Sequence, residues 1–469
     1  MRTARDLTQG PIARTLLVFA LPTLGANILQ SLNASINMVW IGRFLGEDAL
    51  AATSNATNIV FLSLGTVFGF GMAATILVGQ HIGRRDIDGA RRAIGGAAGL
   101  FFGMSLIVTV AGYMLTPPLL RLLATPPEAL PLATNYLQMM MLSMPASFIL
   151  TLLMMGLRGS GDSMTPLWFM LLAVLLDAGL NPFLIAGIGP FPKLGIAGSA
   201  VATLIANYVT TVALLATIYA RDLPIRLRGG ELRYLFPRPA LLWLLLSKGF
   251  LMSLQMAVMS FSGIAMVGLV NREGVIVTAA YGVALQLWTY ISMPAIAMGA
   301  AVSAMAAQNI GAGRWDRVGS ITKQGIIYNV MITGSMVILL TIFDRTALGL
   351  FLGSHSPALP ISAHIQHVSG WAFVVSGIMM VLFGTVRANG AVVGPLIVML
   401  ITFLPCRVGF AVFAYDYLGQ DALWLAFPFG AICGTTMAAA YYRWANWRKG
   451  SLADVAEQAE HVEAPPAVA

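Results

Sequence analysis

The sequence predicts an all-α polytopic membrane protein with twelve transmembrane helices. They form two six-helix lobes related by a pseudo-twofold axis along the membrane normal. Three observations lead there. The first is composition: of 469 residues, 58% are apolar and 10% charged, with a mean hydropathy of +0.81. A soluble domain carries about 25% charged residues. The second is a series of apolar runs of about 20 residues, the length a helix needs to cross a bilayer. They are centred near residues 28, 65, 103, 145, 175, 206, 255, 291, 331, 373, 403 and 432. The third is an internal repeat. AATSNATNIV at Ala51 leads to GFGMAATILVGQHIGRRDIDGARR, and AAYGVALQLW at Ala279 leads to AMGAAVSAMAAQNIGAGRWDRVGS.

Each block of the repeat superposes without a gap. An offset of 228 residues pairs Gly71 with Gly299, Gln80 with Gln308, Gly83 with Gly311 and Asp88 with Asp316. An offset of 229 pairs Arg158, Gly161 and Pro166 with Arg387, Gly390 and Pro395. Six spans lie between the copies, an even number that returns the chain to the same side, so the halves are parallel repeats. The expected organisation is an N-terminus at 1–14, an N-lobe at 15–220, a basic linker at 221–239 and a C-lobe at 240–448. The acidic, Ala-rich and Pro-bearing stretch at 449–469 reads as a disordered tail.

Lys and Arg set the orientation. Of the 27 such residues, 20 fall at the two termini and in the even-numbered loops, against five in the odd-numbered loops. The positive-inside rule then places both termini in the cytoplasm. The net charge of +8 is therefore a topology signal, and nucleic-acid binding is not expected of basic residues scattered over short loops. Cys406 and Cys433 both lie in apolar runs, which suggests neither a disulfide framework nor a metal site. No phosphate-binding GxxxxGK[ST] loop or HExxH pattern is present in the sequence, so neither an enzyme nor a cofactor is expected.

Asp177 stands out in LLAVLLDAGLNPFLIAG. It is the one carboxylate within an expected span. A charge in lipid is costly, so a persistent one commonly lines an aqueous cavity and handles a proton, a cation or a cationic ligand. Asp177 and Asn181 are four residues apart and share a helix face. Asp162 marks the start of this fifth span, and fifteen residues at about 1.5 Å each place Asp177 about 22 Å across, in the outer half of the membrane. Asn37 lies at a similar depth in the first span, at the end of a polar stripe of Asn27, Gln30 and Asn33. Asn55 and Asn58 in the second span, and Thr203 and Asn207 in the sixth, complete an N-lobe set of polar groups. Interhelical packing is the competing role, at about 0.6 kcal/mol per bond. Packing is the expected role of Asn27, Gln30, Asn55, Asn58 and Asn207 unless a ligand claims them. For Asn37, Asn181 and Thr203 both roles stay open.

The chain resembles the multidrug and toxic compound extrusion (MATE) family of cation-coupled exporters. The stretches that carry the resemblance are LTQGPIARTLLVFALPTL, WIGRFLGEDALAA, VGQHIGRRD, LRGSGDSMTP, GIAGSAVAT, AAYGVALQL and AAQNIGAGR, in order from about Leu7 to Trp447. The resemblance implies a two-lobed antiporter, bacterial and in the inner membrane, that exports amphipathic, often cationic, small molecules. It implies H⁺ or Na⁺ as the coupling ion and a monomer with membrane lipid around it. This chain departs from the family at its membrane acids. Many members carry an Asp where INMVWIG has Asn37. The fifth-span order of Asn, three residues, then Asp-Pro is reversed here to Asp177-Ala-Gly-Leu-Asn181-Pro182. Some members have a carboxylate in the seventh span, where SLQMAVMSFSG has none.

The expected ion-coupling set is therefore Asp177, Asn181, Asn37 and Thr203, with protons favoured over Na⁺ and Na⁺ at Asp177 still open. Asn33, Gln30, Met144, Gln255, Met256, Gln286 and Tyr290 are expected to contact substrate. Flexible thioethers suit a promiscuous surface, although gap-filling is the commoner use of Met. Pro22 and Pro182 are expected to kink their helices. The repeat pairs Cys406 with Asp177, so the second lobe lacks a matching acid. Arg407 beside it needs an acidic partner, an anionic headgroup or water. A lipid or lipid-linked oligosaccharide flippase of the wider superfamily is the alternative reading. It predicts a strongly basic central cavity.

Overall fold

A computed structural model describes residues 6–122, 125, 127, 129–353 and 356–462. Among these residues there are helices and no strands. In chain order they are α1 (Ile12–Leu45), α2 (Glu47–Gly83), α3 (Ile87–Leu122), α4 (Leu130–Gly159), α5 (Met164–Ala186) and α6 (Ile196–Ala220). Next come α7 (Pro239–Val270), α8 (Val275–Gly311), α9 (Trp315–Ile342), α10 (Asp344–Leu352), α11 (Ala358–Ser369) and α12 (Ala372–Ala388). The chain closes with α13 (Val393–Ile401), α14 (Phe410–Phe413), α15 (Tyr415–Leu418), α16 (Asp421–Trp444) and α17 (Leu452–Val462).

All twelve expected centres fall in helical segments. Ten helical stretches are long and apolar enough to cross a membrane, and the α11–α12 pair, bent by 41°, makes an eleventh. The remaining centre lies in α2, whose described apolar part is Val67–Gly83. The protein is thus an all-α multi-pass membrane protein. The side chains of Asn55 and Asn58 lie outside the described residues, as do residues 1–5 of the expected N-terminus and residues 463–469 of the expected tail.

The chain forms two compact units. One comprises Gly25–Ser253 with the C-terminal helix from Val455, and the other Leu7–Leu24 with Leu254–Asp454. The boundaries differ from the expected 220 and 240 because they fall inside α1 and α7, continuous helices of 34 and 32 residues. Apolar periodicity marks a helix but not which neighbours each half of it packs against.

In the first unit the repeated glycines let helices meet closely. A Cβ on Gly71 would strike the Met155 sulfur, and one on Gly159 would reach the Thr75 carbonyl. Small residues at such crossings suit a bilayer, where apolar surface alone gives helices no reason to pair. The Thr75 hydroxyl adds a bond to the Met155 carbonyl at 3.1 Å. The linker is ordered by a 3₁₀ turn at Gly229–Leu235. That turn is held to α3 through Arg91 to Glu231 at 2.8 Å and Tyr234 to Asp88 at 2.9 Å.

The second unit repeats the close crossing: a Cβ on Gly384 would meet the Gly299 carbonyl. Leu7, Leu16, Phe19 and Ala20 pack on Met298, Val302, Met305 and Ile321. Gln308 accepts the Leu7 N–H at 3.0 Å, and Arg317 donates to the Gly10 carbonyl at 3.0 Å. One stretch that the sequence reading did not foresee is a π-helical segment at Thr402–Gly409 with Pro405 inside it. Proline lacks the N–H that a regular turn needs.

The tail expectation is corrected over Leu452–Val462, which is helical. Ser451 accepts the Asp454 N–H at 3.2 Å and Asp454 accepts the Ser451 N–H at 2.9 Å, a reciprocal cap that satisfies two orphan donors. Leu452, Ala453 and Ala456 are buried, so the Ala-rich composition serves packing.

Candidate functional site

The N-lobe polar set converges on Asp177. It lies on α5, 13 residues into that helix, or about 20 Å along its axis. The Asp162 carboxylate starts α5 by accepting the N–H groups of Met164 at 3.0 Å and Thr165 at 2.9 Å. Pro182 sits within α5 and supplies no backbone donor, so the carbonyl one turn before it has no helical partner. The helix runs on to Ala186 and ends at Gly187, whose φ of 71° is the left-handed conformation glycine allows.

Four donors surround the carboxylate. Asn33 and Asn37 of α1 donate to Oδ2 at 2.8 and 2.9 Å. Asn181 of α5 and Thr203 of α6 donate to Oδ1, both at 3.1 Å. The amides also order one another. Asn181 Nδ2 donates to Asn37 Oδ1 at 2.9 Å and to the Asp177 backbone carbonyl at 2.8 Å. The Asn37 oxygen is thereby occupied, and its NH₂ faces the acid. Asp177 is 1% exposed and Asn181 0%, while Asn33, Asn37 and Thr203 are half-buried. The cage therefore has one side nearer the surface of the unit.

Two details bear on ion chemistry. The Thr203 hydroxyl also lies 3.2 Å from the Ser199 carbonyl. With one hydrogen it can donate to Asp177 or to Ser199, and when it turns to Ser199 its oxygen is free to accept a proton carried on Oδ1. Asn33 Oδ1, Asn181 Oδ1 and Ser199 Oγ are buried without a protein partner. Hard oxygens beside a carboxylate are the donor chemistry Na⁺ would take, so the residues present also fit that ion.

All four expected coupling residues, Asp177, Asn181, Asn37 and Thr203, are thus brought together. Asn33, expected at the substrate, joins them as a direct partner of the acid. Gln30, one turn before Asn33, is exposed. Two other residues expected to contact substrate are enclosed in this structure. Met144 is 1% exposed and packed among α4's neighbours. Gln255 is 0% exposed and both ends of its amide are used, donating to the Val392 carbonyl at 3.1 Å and accepting from Arg387 at 3.3 Å. A heptad-like Met or Gln pattern does not reveal which face of a bundle helix is enclosed. Met256 is half-buried. Gln286 and Tyr290, one turn apart on α8, bond to each other at 3.3 Å. Asn207 joins α6 to Ser147 of α4 at 2.8 Å, in the packing role expected of it.

The sequence reading did not anticipate a polar cluster at the arginine-rich end of the first unit. His81 Nδ1 lies 2.9 Å from Asp86 Oδ2, and Arg84 donates to Glu457 of α17 at 2.9 Å. Ligand atoms of His81, Asp86 and Glu457 fall within 4.8 Å of one another, but each already has a protein partner. Asp86 caps α3 by accepting the Gly89 N–H at 2.8 Å. Burial alone would raise its carboxyl, but the Gly89 N–H and His81 outweigh burial and hold it below the ordinary carboxylate range. The signal was in HIGRRDIDG, read there only as a repeat.

A family model described as MatE matches residues 22–183 and 252–413. The chain is a member of the MatE family. Similar to it is the "Probable multidrug resistance protein YoeA" of Bacillus subtilis, 33% identical over 441 residues, which cover 94% of this chain and 95% of that protein. The "Probable multidrug resistance protein YpnP" of the same organism is 31% identical, covering 96% and 99%. Among solved structures, a MATE bound to MaL6 superposes with a TM-score of 0.87 at 21% identity, covering 94% of this chain and 98% of that one. At that identity the structural likeness speaks for the fold, and the family model and the two relatives speak for membership. The resemblance implied an acid at the Asn37 or Asn181 position; in this MatE protein the acid is Asp177. The side chains of Asn37 and Asn181 are still its direct partners.

Proposed function

We propose that this MatE protein is a proton-coupled antiporter of the bacterial inner membrane, with both termini cytoplasmic. It would export amphipathic small molecules by alternating access, with Asp177 as the coupling carboxylate. The observation that carries this reading is the donor cage: four side chains from three helices point hydrogens at one buried acid. Ionised, Asp177 satisfies all four donors. Protonated on Oδ1, it donates to Thr203, whose hydroxyl turns to Ser199, and the bond from Asn181 to that oxygen weakens. Each protonation state therefore favours a different arrangement of α1, α5 and α6. A two-state element biased by one proton is what coupling requires. A cationic drug competes with the proton for the same negative charge, which gives exchange its direction.

Two kinds of support meet here. Family membership makes transport the expected activity, and the relatives are named as probable multidrug resistance proteins. The absence of any second acid in the described part of α5 or in α7 concentrates the coupling role on one residue. The test is proton release: a cationic dye such as rhodamine 6G is added to the purified protein in weakly buffered detergent. The wild type should release protons on binding and Asp177→Asn should not. Equal release from both proteins would sink the assignment of Asp177. Binding that requires Na⁺ and releases Na⁺ in place of protons would move the proposal to the other ion, using the unpartnered oxygens of Asn33 and Asn181.

A further inference from the structure

The second unit holds two enclosed arginines: Arg387, which donates to the Phe383 carbonyl and to Gln255, and Arg407, whose surroundings are unusual. It lies 14 residues past Val393, the start of α13, or about 20 Å into the membrane. It is one position beyond Cys406, the repeat partner of Asp177. Its guanidinium lies over the rings of Phe403 at 4.6 Å and Phe427 at 4.7 Å. Both rings are buried, at 4% and 5% exposure. Among the described residues the Arg407 side chain makes no hydrogen bond and no ion pair, and its Nε is buried without an acceptor. Tyr281 of α8 packs its ring against Phe427, the same ring that the Arg407 guanidinium covers, with centroids 6.4 Å apart. Among the acids of that end of the unit, Glu273 holds Tyr415 at 2.6 Å and Gln420 at 2.8 Å, Asp421 lies 2.7 Å from His364, and Asp416 is exposed and forms no ion pair with Arg407.

Charge and hydrogen-bond accounting both point to a missing partner. An arginine presents five N–H donors in a planar fork. Two aromatic rings, at 4.6 and 4.7 Å, stabilise the cation but accept none of the in-plane hydrogens. The fork's edge is the part left open, and it is the part that recognises carboxylate and phosphate. Tyr281, 2% exposed, brings a phenol donor beside it. Thr402 Oγ1, on the same π-helical segment as Arg407, is a second buried polar atom without a partner. The segment itself is the irregular stretch Thr402–Gly409, and single π turns inside helices concentrate at functional sites. Its neighbour α16 presents Gly430 where the stem of Arg407 passes, and a Cβ there would lie 3.3 Å from Arg407 Cβ.

We propose that Arg407 and Tyr281 form a binding site for an anionic group, carboxylate or phosphate, of an amphipathic solute that this protein moves. The inference rests on the export reading above and narrows its substrate class: substrates include molecules with an acid group next to a flat apolar body. Arg407 touches the anion, Tyr281 donates beside it, and Phe403 and Phe427 hold the guanidinium plane.

The test uses the full-length protein in nanodiscs of zwitterionic phosphatidylcholine, with fluorescence polarisation of two xanthene dyes of similar size. Fluorescein is the anionic probe and rhodamine 6G the cationic one. Arg407→Gln should weaken fluorescein by about tenfold or more, as loss of charged hydrogen bonds implies. Arg407→Lys should retain part of the affinity, and Tyr281→Phe, which keeps the ring in place, should weaken fluorescein less than Arg407→Gln does. Rhodamine 6G binding should be unchanged in all three variants. Unchanged fluorescein binding in Arg407→Gln, or equal losses for both dyes, overturns the site. If phosphatidylglycerol added to the discs displaces fluorescein only when Arg407 is present, a lipid headgroup is the ligand and the solute assignment is overturned. If fluorescein binds through Arg407 while reconstituted protein moves neither dye, the export reading fails and the anion site stands.

Discussion

Replacing Asp177 with Asn separates coupling from folding, because the cage can absorb the change. Asn keeps one oxygen, which can accept from Asn33 and Asn37 in place of Oδ2. Its NH₂ then faces Asn181 and Thr203. The two hydrogens of Asn181 still have the Asn37 oxygen and the residue 177 carbonyl as acceptors, and Thr203 turns its hydrogen to Ser199. The variant loses two bonds to a charged group, turns the other two into neutral ones and no longer buries a charge, so these terms offset and stability should change by about 1 kcal/mol or less. Coupling is another matter, since no titratable group remains in the cage. A gradient of one pH unit is worth about 1.4 kcal/mol per proton, which supports a dye ratio of about tenfold for one-to-one exchange. Proteoliposomes with a one-unit pH step should therefore accumulate rhodamine 6G about tenfold with the wild type and only to equilibrium with Asp177→Asn. Thermal unfolding of the same preparations, followed by tryptophan fluorescence, checks the fold. A well-folded variant that still concentrates dye in response to the pH step would refute the reasoning.

Further outcomes follow from the same contacts. The double change Asp177→Asn with Asn181→Asp moves the acid one turn along the same helix face, within reach of Asn37; it should restore part of the pH-driven accumulation, read in the same liposomes. Asp86→Ala removes the cap of α3 and should cost about 0.5–2 kcal/mol in thermal unfolding. Because the Asp86 carboxyl is held below its usual 3.8, that contribution should be complete above about pH 4 and fade as the pH falls further; an Asp86→Ala deficit that persisted undiminished at pH 2 would contradict it. Gly99→Val should drive a side chain into the Leu235 carbonyl and destabilise by about 1–3 kcal/mol. Asn207→Ala should lose the bond to Ser147 and little more than about 0.6 kcal/mol, measured by the same unfolding assay.

How much of this was legible in the sequence depended on which physical rule was local. Asp177 and Asn181 could be placed on one face because four residues make about one helical turn. Asn37 and Thr203 could be matched to them by depth, since rise per residue is fixed. Rotation about the helix axis was not readable in the same way. Asn33 was grouped with Gln30 as a substrate contact, yet Asn33 faces the acid and Gln30 faces out. Gln255 and Met144 sit on enclosed faces for which apolar helices give no sequence contrast. The tail was misread because its composition suggested disorder while its Ser451–Asp454 pair, a local capping signal, was overlooked. The π-helical turn around Pro405 had a visible proline but no sign of how the helix would accommodate it. Arg407 could be flagged as a basic residue in an apolar run, but its lack of an acid is a property of three-dimensional neighbours.

Neither compact unit is a single stretch of chain. Residues Leu7–Leu24 belong with the second unit, and the helix from Val455 belongs with the first. This makes biogenesis an exercise in waiting. Leu7–Leu24 leaves the ribosome while its packing partners, such as Met298, Met305 and Ile321, are still unmade. The first unit, whose main stretch is made by Ser253, receives its segment from Val455 only after the second unit's chain has been synthesised. The contact of its early-made Arg84 with Glu457 can form only once Glu457 has been made. A gene cut at the 221–239 linker would therefore yield two fragments, each lacking a piece of its own unit and carrying a piece of the other. Such fragments should accumulate stably when co-expressed and be degraded when expressed singly.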